Sequence, residues 1–183
     1  MNIIKTHIDG VYILEPKIHR DGRGYFVEPW NERTFRKNGF RYSFVQDNQS
    51  FSHYGTVRAL HFQRDESAQA KLVRALQGRV MDVAVDLRPA SPTFGQHVAV
   101  ELDDHLMRML MIPRGFAHGF SVLSETAVFG YKVDNFYNKE AEGGLLFNDS
   151  ELGIDWGVPT DKIIASERDR LFPTLAEYKK CTR

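Results

Sequence analysis

The chain has 183 residues, of which 42% are hydrophobic and one is cysteine. That length and apolar content suit one domain whose core needs neither disulfides nor a structural metal, and Cys181 alone forms no internal disulfide and no thiolate metal site. Lysine plus arginine and aspartate plus glutamate balance at 24 each, so no overall field draws the chain to nucleic acid or an anionic membrane, and an anionic ligand has to be met by a local cluster.

The opening run MNIIKTHIDGVYILEPK has only short apolar stretches broken by charges, which fits neither a signal peptide nor a membrane span, so a soluble cytoplasmic protein is expected. Short alternating or β-branched runs then recur between turn residues. They predict strands at 11–19, 25–30, 57–63, 70–77, 79–88, 96–102, 108–113, 119–124, 127–134 and 144–149. Gln77-Gly78 reads as a tight hairpin turn. Helical patterns are confined to 31–39, stopped by Gly39, and 174–181. The pattern predicts one all-β domain over residues 1–183, an antiparallel barrel or sandwich with short peripheral helices.

Several chemistries lack their motifs. There is no G-x-G-x-x-G opening a helix, no P-loop, no H-E-x-x-H and no G-x-S-x-G elbow. No bound cofactor is expected. Two histidines stand out instead. His61 interrupts the strand pattern GTVRALHFQ, with Arg58 just upstream, and His118 follows a proline-glycine turn in IPRGFAHGF. An isolated histidine in such a run is more often a core residue bonded to a carbonyl than a ligand. Strand alternation also puts Arg58 and His61 on opposite faces, unless a bulge near Ala59 intervenes or Arg58 reaches around the strand end.

The spacing Pro113-x-Gly115-x-x-His118 resembles the second motif of the cupins, small β-barrels whose histidines often bind a divalent metal. Gly55 and His61 fit the start of the first cupin motif, but Gln63 stands where the second histidine belongs and Glu66 falls too early for the glutamate. With about three protein ligands needed for a catalytic metal, a metal-free cupin is expected. The wider match covers almost the whole chain: DGRGYFVE, FVQDNQS, RALHFQ, AQAKLVRALQGRVMDVAVDLR, SPTFG, IPRGFAHGF, YKVDNFY and SERDRLFP together resemble the dTDP-4-dehydrorhamnose 3,5-epimerase family of dTDP-L-rhamnose biosynthesis.

That resemblance implies a cupin-type antiparallel β-barrel or jelly roll and a dTDP-4-keto-6-deoxy sugar substrate whose C3 and C5 hydrogens flank a ketone. It implies His61 as base, Asp169 as the carboxylate orienting it, Tyr131 as acid on the other ring face and Lys71 at the enolate oxygen. It also implies Arg23, Glu28, Gln46, Asp47, Asn48, Arg58, His118, Glu142 and Arg168 as substrate-binding residues, with Phe26 or another aromatic stacking on thymine. Members are dimers built by strands crossing between barrels, so a homodimer is expected. The chain departs from the family pattern at Arg168, where lysine is frequent, and at Phe136, where tyrosine is frequent. Taken singly, Tyr131 is more often a barrel residue satisfied at the rim, Lys71 a strand-edge charge, Asp169 a helix-start or turn residue and each arginine a solvated one. Three alternatives stand beside double epimerisation: a 3-epimerase or ketoisomerase on the same sugar, a metal-dependent cupin, and a non-catalytic sugar-binding barrel.

Overall fold

In the computed structural model residues 1–181 are described. Thirteen strands and three short helices follow in chain order among them. The strands are β1 (Asn2–Lys5), β2 (Tyr12–Glu15), β3 (Ile18–Asp21), β4 (Gly24–Val27), β5 (Gln46–His53), β6 (Val57–Gln63), β7 (Lys71–Gln77), β8 (Arg79–Asp86), β9 (His97–Asp103), β10 (Met109–Ile112), β11 (Phe116–Val122), β12 (Thr126–Val133) and β13 (Glu142–Gly144). Helix α1 (Glu32–Lys37) follows β4, and α2 (Glu167–Arg170) and α3 (Leu175–Cys181) close the described chain. None of these helices is long and apolar enough to cross a membrane.

Two antiparallel sheets face each other. One has the order β1-β2-β10-β7-β12-β5, the other β13-β6-β11-β8-β9. The all-β antiparallel architecture expected from the pattern, and the cupin-type barrel implied by the resemblance, are the ones observed. Between the sheets lies an apolar cluster that includes Val73, Leu110, Ile112, Phe116 and Val122. Phe120 and Phe129 stack there at 4.1 Å and also line the cavity described below, so the core ends where the cavity begins.

The outer faces are covered separately. Leu14, Leu72, Met109 and Met111 pack under Phe35 of α1 and Phe40 behind it. Asn31 caps that helix by accepting the Thr34 N–H at 3.1 Å. Val83, Val85 and Phe62 pack under Leu152, Trp156 and Leu175 from the last third of the chain. Polar ties hold that segment: the Trp156 indole donates to the Phe147 carbonyl at 2.8 Å, and the Val57 N–H to the Ile164 carbonyl at 2.8 Å.

Several boundaries differ from expectation. The run 11–19 is two strands, because Pro16 cannot donate to a ladder; β2 stays in the large sheet while β3 leaves it to pair only with β4. Residues 145–149 leave the sheet after β13, once Leu60 and Leu145 have exchanged both backbone bonds. Strands β1 and β5 and helix α2 carry no clear pattern, yet form. In β5 the half-buried positions are Gln46, Asn48 and Ser50, followed by buried Ser52: the alternation is present but its inward side is polar. The Gln77-Gly78 turn is as expected, with Gly78 at φ +78° joining β7 to β8.

Candidate active site

Strand β6 breaks its own alternation. Opposite β11, His61 pairs with His118 and Arg58 with Phe120, so β6 spends three residues where β11 spends two. The extra residue is a β-bulge that turns Ala59 and Leu60 together to the outer apolar cluster. Arg58 and His61 consequently share the inner face, which resolves the conflict posed by regular alternation. The bulge needs room on β11: a Cβ on Gly119 would lie 2.3 Å from the Ala59 Cβ and 2.7 Å from its Cα.

Inside the barrel is a cavity of about 900 Å³. His61 projects into it, and its Nε2 lies 2.9 Å from Asp169 Oδ1. A carboxylate only accepts, so Nε2 carries the proton and Nδ1 is left with a free lone pair. Asp169 arrives from α2, where Ser166 Oγ accepts its backbone N–H at 3.1 Å. Burial works to raise the Asp169 carboxyl, but the bond and charge of His61 outweigh it and hold the group below the usual aspartate value. Phe172 meets the His61 ring edge-on at 5.7 Å.

Tyr131 enters from β12, in the sheet facing β6. Burial pushes its phenol above the ordinary value, with Arg58 opposing and Glu142 adding, so the hydroxyl keeps its proton at neutral pH. Lys71, on β7, is only 8% exposed. Burial lowers its ammonium to about 8, while Asp82 and Glu142 pull the other way. Its Nζ donates to the His61 carbonyl at 3.4 Å.

Around these lie the polar groups of the walls and rim. Arg58 Nε donates to Ser52 Oγ at 3.0 Å. His118 Nε2 lies 2.9 Å from Asp82 Oδ2. Gln46 Nε2 donates to Asn48 Oδ1 at 2.8 Å. At the rim, Glu142 Oε2 accepts the Tyr137 hydroxyl at 2.6 Å and pairs with Arg168 at 2.6 Å. Gln63, at the position where the cupin motif has a histidine, accepts the Asn138 N–H through Oε1 at 2.8 Å. Among the described residues no group of three or more His, Cys, Asp or Glu side chains is placed to hold a metal ion.

Ten of the thirteen expected site residues therefore line one cavity: His61, Tyr131, Asp169, Lys71, Gln46, Asn48, Arg58, His118, Glu142 and Arg168. Three do not. Asp47 points the other way along β5 and pairs with Lys132 at 2.7 Å beside a second cavity of about 350 Å³, because neighbouring strand residues face opposite sides. Arg23 lies on the exposed β3–β4 hairpin, paired to Asp21 at 2.7 Å. Glu28, just past β4, accepts from Asn31 at 3.2 Å. Phe26 on the same hairpin is 68% exposed and likewise outside the cavity. Tyr137, Ser52, Phe172 and Asp82 were not anticipated as parts of the site. Only Asp82 had a legible signal, an acid at an inward position of the apolar run VMDVAVD.

Fold and site geometry define a cupin with a histidine–carboxylate pair and a tyrosine on facing walls, the equipment of an enzyme that moves protons on a small polar substrate. Comparison with known proteins narrows the class. The family model described as dTDP-4-dehydrorhamnose 3,5-epimerase matches residues 5–177, and the chain belongs to that family. It is 54% identical over 157 residues to the dTDP-4-dehydrorhamnose 3,5-epimerase of Salmonella typhimurium, covering 85% of this chain and 86% of that one. The crystal structure of dTDP-4-dehydrorhamnose 3,5-epimerase from Elizabethkingia anophelis superposes with a TM-score of 0.93 at 52% identity, over 97% of each chain. A dTDP-6-deoxy-D-glucose-3,5-epimerase from Legionella pneumophila, solved in complex with dTDP-4-keto-L-rhamnose, superposes with a TM-score of 0.92 at 44% identity, over 96% of this chain and 93% of that one.

Proposed function

We propose that the chain converts dTDP-4-dehydro-6-deoxy-D-glucose to dTDP-4-dehydro-L-rhamnose by inverting C3 and C5 through enolates, as an isomerase of dTDP-L-rhamnose biosynthesis. The observation that carries this reading is the pair of His61, on one sheet, with Asp169 of α2, opposite Tyr131 on the other sheet, in a chain of the epimerase family. Nδ1 of His61 takes the proton from the carbon next to the ketone. The C–H electron pair becomes the enolate, whose oxygen is met by the Lys71 ammonium. The Tyr131 hydroxyl then gives its proton to the opposite face of that carbon, and exchange with water restores the imidazole and the phenol. Asp169 stabilises the imidazolium in between and keeps Nε2 protonated. Arg58 and Arg168 supply guanidinium groups for the diphosphate, and Tyr137 at the rim offers an aromatic face to the base.

The test is incubation with dTDP-4-dehydro-6-deoxy-D-glucose in D2O, with C3 and C5 followed by NMR. Deuterium at both carbons with inversion is expected. Exchange at one carbon only would replace the double epimerase by a monofunctional one.

The proposed assembly is a homodimer in which Arg23, Phe26 and Glu28 reach the cavity of the second copy. Support comes from the β3–β4 hairpin, which leaves the barrel, pairs only with itself and exposes Tyr25 and Phe26. Light scattering showing a monomer at micromolar concentration would contradict it. With a single cysteine the chain has no internal disulfide to form, which suits the reducing cytoplasm proposed as its compartment.

A further inference from the structure

Asp82 stands on β8, fully buried, and does not itself line the cavity. Its Oδ2 accepts the Nε2 proton of His118 at 2.9 Å, while Oδ1 is buried with no hydrogen-bond partner. A half-satisfied carboxylate in a core costs more than an apolar residue of the same size, so packing gives no reason for an acid here. Its bond to His118 supplies the reason. His118 lines the cavity, its ring lies nearly parallel to Phe129 at 6.1 Å, and its other nitrogen, Nδ1, makes no hydrogen bond to a described residue.

We propose that Asp82 is a positioning residue that makes His118 a hydrogen-bond acceptor: by taking the Nε2 proton it turns the Nδ1 lone pair to the cavity, where a hydroxyl of the sugar ring donates to it. This rests on the epimerase reading and deepens it to how the sugar is oriented. A ketone only accepts and an ammonium only donates, so the ketone belongs at Lys71; a hydroxyl donates, so it belongs at His118. The two groups sort the oxygens of the ring and keep the sugar from binding turned around. Burial favours neutral His118, and the Lys71 and His61 charges act the same way against Asp82, so the imidazole keeps its lone pair at neutral pH.

The experiment has a spectroscopic arm and a kinetic one. Long-range proton–nitrogen NMR on histidine-labelled protein at pH 7.5 is expected to show His118 neutral with Nε2 protonated; an Nδ1-protonated ring or an imidazolium overturns the inference, whatever the activity. In the kinetic arm the parent substrate is compared with dTDP-4-keto sugars lacking the 2- or the 3-hydroxyl. The parent chain should lose about tenfold in KM with one of them, the worth of one hydrogen bond. Asp82→Leu, with kcat within threefold of that of Asp82→Asn because both remove the charge that holds the Lys71 ammonium up, should raise KM for the parent substrate about tenfold and erase that discrimination. Asp82→Asn, whose amide oxygen still accepts from Nε2, should retain it. No penalty for either analogue overturns the inference, and this comparison needs only the parent chain if Asp82→Leu fails to fold. Failure to epimerise even the parent substrate would fault the epimerase reading instead, leaving the tautomer to be read independently.

Discussion

Replacing Lys71 by methionine should make the protein more stable and nearly inactive. The lysine is buried with its ammonium held at about 8, against 10.5 for the solvated group. Each tenfold displacement of a proton equilibrium is worth about 1.4 kcal/mol, so keeping the charge in the core at pH 7 costs about 3 kcal/mol. Methionine fills similar space without the charge and gives up only a long bond, 3.4 Å, to the His61 carbonyl. The sign follows from proton counting. Between about 8 and 10.5 the unfolded chain binds more protons than the folded one, so the parent gains stability as pH rises through that window. The advantage of Lys71→Met should thus be about 3 kcal/mol at pH 7 and fall to about 1 kcal/mol at pH 9.5. Urea unfolding at the two pH values, with the same m-value for both chains, measures it. Loss of the enolate's donor should lower kcat by roughly 10²-fold or more. A variant destabilised by more than about 1 kcal/mol at pH 7, or one that epimerises at the parent rate, would refute the reasoning.

Three further substitutions probe the rest of the site. Asp169→Asn should cut kcat by at least about 10²-fold while KM changes less than about threefold, measured by initial rates; equal losses in both would make Asp169 a binding residue. Tyr131→Phe should keep deuterium wash-in at C3 or C5 with retained configuration and form little inverted product, whereas His61→Asn should lose both signals by NMR. Gly119→Ala should lower stability by about 1–3 kcal/mol in thermal unfolding and also lower activity, because its methyl group meets Ala59 in the bulge that aims Arg58 and His61.

The sequence carried the fold wherever apolar residues faced inward. Strands β7 and β8 and their tight turn are legible because aliphatic side chains, Val73 and Ala75 on one and Val80 and Ala84 on the other, hold most of their inward side beside Lys71 and Asp82. Strand β5 is hidden for the opposite reason: its inward residues are Gln46, Asn48 and Ser50, which line the cavity, and buried Ser52, so the alternation that would mark a strand has no hydrophobic side. The bulge in β6 is hidden too, since Ala59 and Leu60 are each ordinary strand residues and only pairing with β11 shows that one is extra. For the site, resemblance assembled side chains that no local pattern connects, as with Glu142 and Arg168. It did not tell which of them one barrel brings together. Arg23 and Glu28 lie where the chain has left the sheet, after the break at Pro16, and Asp47 is turned outward by the same period of two that turns Asn48 inward.

The two members of the His61–Asp169 pair lie 108 residues apart. Between them the chain lays down β7 to β13 and then the segment that covers the outer face of the five-stranded sheet. During synthesis the histidine therefore leaves the ribosome 108 residues before its carboxylate. A chain halted before residue 169 lacks that carboxylate and leaves the imidazole with no anchor. The pair therefore closes only when the segment that carries α2 has docked against the sheet.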